Sequence, residues 1–212
     1  MKKLLFAASL LAAGVLSAET TPVMVSLVTP VQAPSSVYDV KGLRLSFIYG
    51  DCKDFIGLDL GLANRAAGDF TGLAIGGVNI AGGRIRGGQV GLVNWNSQPD
   101  VEWPSRSIGA QIGLLNYADS FCGLQDGVVN ISGKSFVGAQ SGFVNCANDV
   151  QGAQFGYYLI FGVNVASGTL SGCQLGLVNY AETVDSGLQI GLINIIARNG
   201  WLPVLPIVNG HF

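Results

Sequence analysis

Charge is what this chain has least of: charged side chains make up 11% of its 212 residues, against about 25% in ordinary soluble domains. The net charge is −2 with no basic patch, so nucleic-acid binding has no electrostatic footing. Histidine is nearly missing. His211 stands alone, and no GxSxG elbow sets a serine beside a base, which argues against a Ser–His hydrolase and against enzymatic activity. Cysteine is limited to Cys52, Cys122, Cys146 and Cys173, at spacings that match no CxxC or zinc-ribbon pattern, so neither a metal nor another cofactor is expected. The stretch Gly82–Gly88, GGRIRGG, lacks the ending of a phosphate loop, and its Arg84 and Arg86 read as charges at a rim. Long apolar runs are lacking as well. After Leu16 none approaches the roughly 18 residues that a membrane helix needs.

The chain opens MKKLLFAASLLAAGVLSAET. Two lysines, an apolar run and small residues near Ala18 read as a secretory signal peptide over residues 1–18, followed by a single β-repeat domain over 19–212. Export permits disulfides, and four cysteines allow three full pairings.

What is abundant is repetition. GCQLGLVN (Gly172–Asn179) returns as GLQIGLIN (Gly187–Asn194). The final asparagine recurs at Asn64, Asn79, Asn94, Asn116, Asn130, Asn145, Asn164, Asn179, Asn194 and Asn209, at steps of 15 interrupted by 22, 14 and 19. GLRLSFIY (Gly42–Tyr49) adds a unit with Tyr49 in the asparagine slot, and LPVLPIVN (Leu202–Asn209) fits with Pro206 in the second glycine slot. Leu188, Ile190 and Leu192 alternate with Gly187, Gln189 and Gly191. Such a period of two predicts strands, and short polar stretches between units predict tight turns.

Strands of about 9–11 residues suit a transmembrane barrel. With Pro22–Val31 as an extra strand, the leading expectation is an all-β, antiparallel up-and-down β-barrel of about 12 strands. The Leu-Ile-Leu face would meet outer-membrane lipid. Arg44, Asp59, Gln89, Gln111, Gln125, Gln140, Gln154, Gln174 and Gln189 would face the lumen, with Arg44 and Asp59 on adjacent strands as a salt bridge. The expanded connections Gln32–Asp39, Trp95–Ser107 and Ile195–Trp201 fall on one side of such a barrel, as its outer loops should. Trp95 and Trp103 bracket the longest of them, as anchors at a membrane interface. Asp126, with Ser141 in the same slot one unit on, sits among apolar residues and suggests self-association there. A hairpin turning near Gly133 would set Cys122 opposite Cys146, and a disulfide between them would favour the barrel. The alternative is a β-solenoid of about 11 coils, with Leu-Ile-Leu inside and Asn or Gln ladders.

The GxQxGLxN units, the segment GLRLSFIYG and the closing WLPVLPIVNGHF resemble a family of exported bacterial surface repeat-containing proteins. The resemblance spans most of the chain after residue 18 and implies an outer-membrane or surface location, with no catalytic residues to carry over. The unit around Tyr157–Phe161, Asp126 and Ser141 depart from its pattern. The function implied by the barrel is passage of small polar solutes, or a structural or surface-contact role. A solenoid implies a surface-exposed binding or adhesin-like module, its ligand unknown.

Overall fold

The computed structural model describes residues 19–98, 106–157 and 161–212. The segment 1–18 expected to be a signal peptide, Trp103 and the middle of the Tyr157–Phe161 unit lie outside them. Twelve strands make one sheet: β1 (Thr20–Val28), β2 (Val31–Ala33), β3 (Asp39–Cys52), β4 (Phe55–Ala66), β5 (Phe70–Ala81), β6 (Ile85–Val90), β7 (Val93–Asn96), β8 (Ser107–Gly142), β9 (Val144–Gly156), β10 (Val163–Leu175), β11 (Val178–Ile196) and β12 (Val204–His211). From β3 to β11 each pairing is parallel and joins like residues of successive units, such as Gly57 with Gly72 and Asn64 with Asn79. Only the two ends pair antiparallel, β1 with β2 and β11 with β12. The path runs open from β12 to β2.

This is a β-solenoid of about 11 turns, and the barrel expectation is overturned. Parallel pairing in identical register is incompatible with hairpins between successive units, and an open path encloses no lumen. The physical reason is that in-register stacking places each amide directly above its own kind. An antiparallel pairing would scatter them.

The alternative expectation, a solenoid of about 11 coils with Asn and Gln ladders, holds in its architecture, but its faces are reversed. Asn and Gln point inward and are buried, while Leu62, Leu92, Leu114 and Leu192 point outward, each more than half exposed. Two further inward columns went unnoticed in the sequence. One holds Phe55, Phe70, Ile85, Phe121, Phe136, Val150, Leu170 and Val184; the other holds Ala66, Ala81, Ala118, Ala147, Ala166 and Ala181. Phe55 stacks on Phe70 at 5.3 Å and Phe121 on Phe136 at 6.5 Å between ring centroids. Their interior halves form two apolar clusters, one from Met24 to Ile85 and one from Ala118 to Ile196.

Between the clusters lies a buried polar knot. Ser107 Oγ donates to Asn96 Oδ1 (2.6 Å) and accepts from Gln98 Nε2 (2.8 Å) and the Ile85 amide (2.9 Å). The knot ties both roots of the Trp95–Ser107 connection into the core.

Local register also departs from the sequence reading at both ends. A shift in β3 sets Gly50, not Tyr49, opposite Asn64. Asn209 pairs with Gln189 rather than with Asn194, because β12 runs antiparallel. The last unit is therefore a cap and not a further coil. The extra strand Pro22–Val31 is interrupted, with β1 parallel to β3 and β2 folded back on it.

All four cysteines are free. Cys146 stacks between Ile131 and Val165 on the outer face, so the Cys122–Cys146 disulfide has no hairpin to form it. Burial pushes the Cys52 thiol up to about 12, with nearby carboxylates adding and Arg44 opposing. In the native protein a maleimide at mildly alkaline pH should label Cys122, Cys146 and Cys173 and spare Cys52 until the coil unfolds. Labelling of Cys52 at the rate of the others, read by peptide mass spectrometry, would contradict this interior.

Candidate functional site

Most coils bend at a glycine, and in the first Ser46 takes its place. In the β6–β7 coil, Gly91 and Leu92 separate the two strands. The inward–outward alternation breaks there, for Leu92 and Val93 both point out before Asn94 points in. Backbone hydrogen bonds stack these corners: Leu92 N donates to Gly77 O (2.9 Å), Leu114 N to Leu92 O (3.0 Å) and Phe143 N to Val128 O (3.0 Å). The result is an outer ridge, a keel, of Leu62, Gly77, Leu92, Leu114, Val128, Phe143, Gly162, Leu177 and Leu192, without a polar side chain and lowered at its two glycines. At about 4.8 Å per coil it is roughly 38 Å long.

Polar ladders hold the keel from inside. Along the asparagine column each Nδ2 donates forward to the next Oδ1, from Asn64 to Asn194, at 2.8–3.1 Å. Its second hydrogen reaches a backbone carbonyl of the next coil just ahead of the bend, for example Asn130 to Ser141 O at 2.7 Å. The glutamine column runs the other way. Gln111 donates to Gln89, and Gln125, Gln140, Gln154, Gln174 and Gln189 each donate to the glutamine before, at 2.6–2.9 Å. Opposed directions leave one acceptor without a donor at each end, Asn64 Oδ1 and Gln189 Oε1. Buried amides satisfied in this way lock the register of every coil.

The sequence-predicted lumen residues therefore line a filled interior. Arg44 and Asp59 occupy the glutamine column on adjacent strands and are fully buried. Arg44 Nε and Nη2 donate to the two Asp59 oxygens at 2.8 and 2.5 Å, and Nη1 donates to Arg65 O at 2.7 Å. The expected salt bridge is thus present, inside a packed core rather than a lumen.

Asp126 and Ser141 lie on the outside, half-buried beside the keel, so the cost of a charge in the thin core does not arise. Asp126 interrupts a flanking column of Ile75, Val90, Ile112 and Ile190.

On the side of the keel that leads to the turns, one outward column holds Trp95, Tyr117 and Tyr180 among Arg65, Ile80, Ile131, Cys146 and Val165. Trp95 stacks on Tyr117 at 4.0 Å. Tyr117 donates its hydroxyl to Asp119 (2.7 Å) and Tyr180 to Glu182 (2.8 Å). The carboxylate beside it holds the Tyr117 phenol up at about 12. Beyond the aromatics lie the turns, where Arg84 pairs with Asp69 at 2.7 Å and Arg198 with Glu182 at 2.7 Å. Trp95 is thus part of the wall rather than of a loop, and Arg84 belongs to the charged edge.

Among the described residues no helix is long and apolar enough to cross a membrane. No family model, curated protein or solved structure matches the chain.

Proposed function

We propose that this chain is an exported, non-catalytic β-solenoid acting as a binding module at the bacterial surface, with the keel as its working face. One observation carries the reading: a fold that buries its amides turns large apolar side chains outward at seven of nine stacked bends, four of them in succession from Leu92 to Phe143. Contiguous exposed apolar area on this scale marks an interaction surface. The export signal and the resemblance to surface repeat proteins support the location, and the scarcity of charged and nucleophilic groups supports a role without catalysis.

The test is binding of an apolar dye, anilinonaphthalene sulfonate, to the natively folded protein. Fluorescence should rise strongly without any loss of far-ultraviolet strand signal. Replacing Leu92 and Leu114 with Asp should remove most of that rise while leaving the thermal midpoint in place. A native protein that does not bind the dye would defeat the proposal.

A further inference from the structure

Resting on that reading, we infer that the occupant of the keel is a lipid bilayer, entered edge-on to shallow depth and not spanned. Three features favour lipid over a second copy of the chain. The keel is convex, since two successive residues point outward at most bends, as Leu92–Val93 and Leu192–Ile193 do. Two such ridges meet along a line and exclude little water, whereas fluid acyl chains close around a ridge.

The second feature lies on one side of the keel, where an outward column sets Trp95, Tyr117 and Tyr180 among aliphatic residues such as Ile80, Ile131 and Val165, between the keel and the charged turns. Trp95, Tyr117 and Tyr180 present their rings outward, and the two tyrosine hydroxyls turn toward carboxylates on the turn edge. Amphipathic rings between apolar and charged zones are what a membrane interface selects. A protein partner requires no such placement.

Third, the keel column from Leu62 to Leu192 contains no charged side chain, and the chain is net acidic. Binding must then come from apolar area rather than from attraction to head groups. It should be indifferent to salt and should not require anionic lipid. Asp126 is the single charge in the flank that holds Ile112 and Ile190, so it limits how deeply that flank enters.

Flotation with vesicles of phosphatidylcholine and phosphatidylethanolamine tests this on the full chain. The protein should float with the vesicles equally at low and high salt. Leu92→Asp with Leu114→Asp should cut partitioning by about tenfold or more, and Asp126→Leu should raise it by roughly tenfold. In a Trp103→Phe/Trp201→Phe variant, the remaining Trp95 should be quenched by lipids brominated near the head group. A protein that binds the dye but stays with the aqueous fraction overturns the lipid assignment and leaves the binding module standing. So does a dimer that Leu92→Asp/Leu114→Asp dissociates. Absence of dye binding as well removes both.

Discussion

Replacing Arg44 with Met is expected to destabilise the amino-terminal coils by about 3–5 kcal/mol, the usual cost of stranding one partner of a buried ion pair. Asp59 is fully buried and receives two of its hydrogen bonds from Arg44, at 2.8 and 2.5 Å. Methionine fits the column, for Met24 already stands one strand below, in register with Arg44. The loss is therefore electrostatic and not steric. The double variant Arg44→Met/Asp59→Leu should recover to within about 1 kcal/mol or better, because a well-packed apolar pair commonly equals a buried salt bridge. Urea unfolding followed by circular dichroism measures both. A single variant within about 1 kcal/mol of wild type would mean that water reaches the pair.

The pH dependence supplies a separate check. Burial pushes the Asp59 carboxyl up while the Arg44 guanidinium pulls it down. Without Arg44 only the upward push is left. A folded-state value above the unfolded one gives stability that is present at acid pH and lost as pH rises through the folded value. The deficit of Arg44→Met should therefore be largest at neutral pH and shrink on acidification toward the unfolded carboxylate range. A deficit that grows on acidification would contradict the assignment.

The pairing of Arg44 with Asp59 was legible from spacing alone, since a shared slot in neighbouring repeats means neighbouring strands in either architecture. The strand period and the unit boundaries were equally plain. Which face turns inward was not, because alternation is symmetric: exchanging inside and outside leaves the pattern of GLQIGLIN unchanged. The usual weighting, apolar side in, then chooses wrongly. The decisive signal was present but distributed. Gln125 and Gln140 share a slot, as do Asn130 and Asn145, and an amide that both donates and accepts gains most when its own kind lies directly above. Phe121 and Phe136, with Ala147 and Ala166, repeat in the stretches that looked like turns. They are the apolar part of the core. The cap formed by β12 was hidden for a related reason, for LPVLPIVN matches the motif in composition while Pro203 and Pro206 deny it two ladder donors.

The inversion makes glycine, not leucine, the residue that the fold cannot exchange. Gly123 has φ near +137°, and a Cβ there would lie 2.0 Å from Gly109 O. Gly123→Ala must then hold a side chain in a region that costs about 1–3 kcal/mol and also push apart two coils of a close-packed interior, for about 1–3 kcal/mol more. The expected loss is roughly 2–6 kcal/mol by the same two principles. Because the break falls in the middle of a stack where each coil touches only its neighbours, limited proteolysis should show new cuts near it. Gly88→Ala is the matched control. A Cβ at Gly88 comes no nearer than 3.0 Å to Leu73 Cδ1, the end of a flexible side chain, and the coil above carries Ala110 at that register. That variant should unfold within about 0.5 kcal/mol of wild type, as outward surface changes usually do. Equal tolerance of alanine at both positions would mean that no carbonyl presses on Gly123. Such a result would return its face to open space, and the stacked coils would have to be abandoned with it.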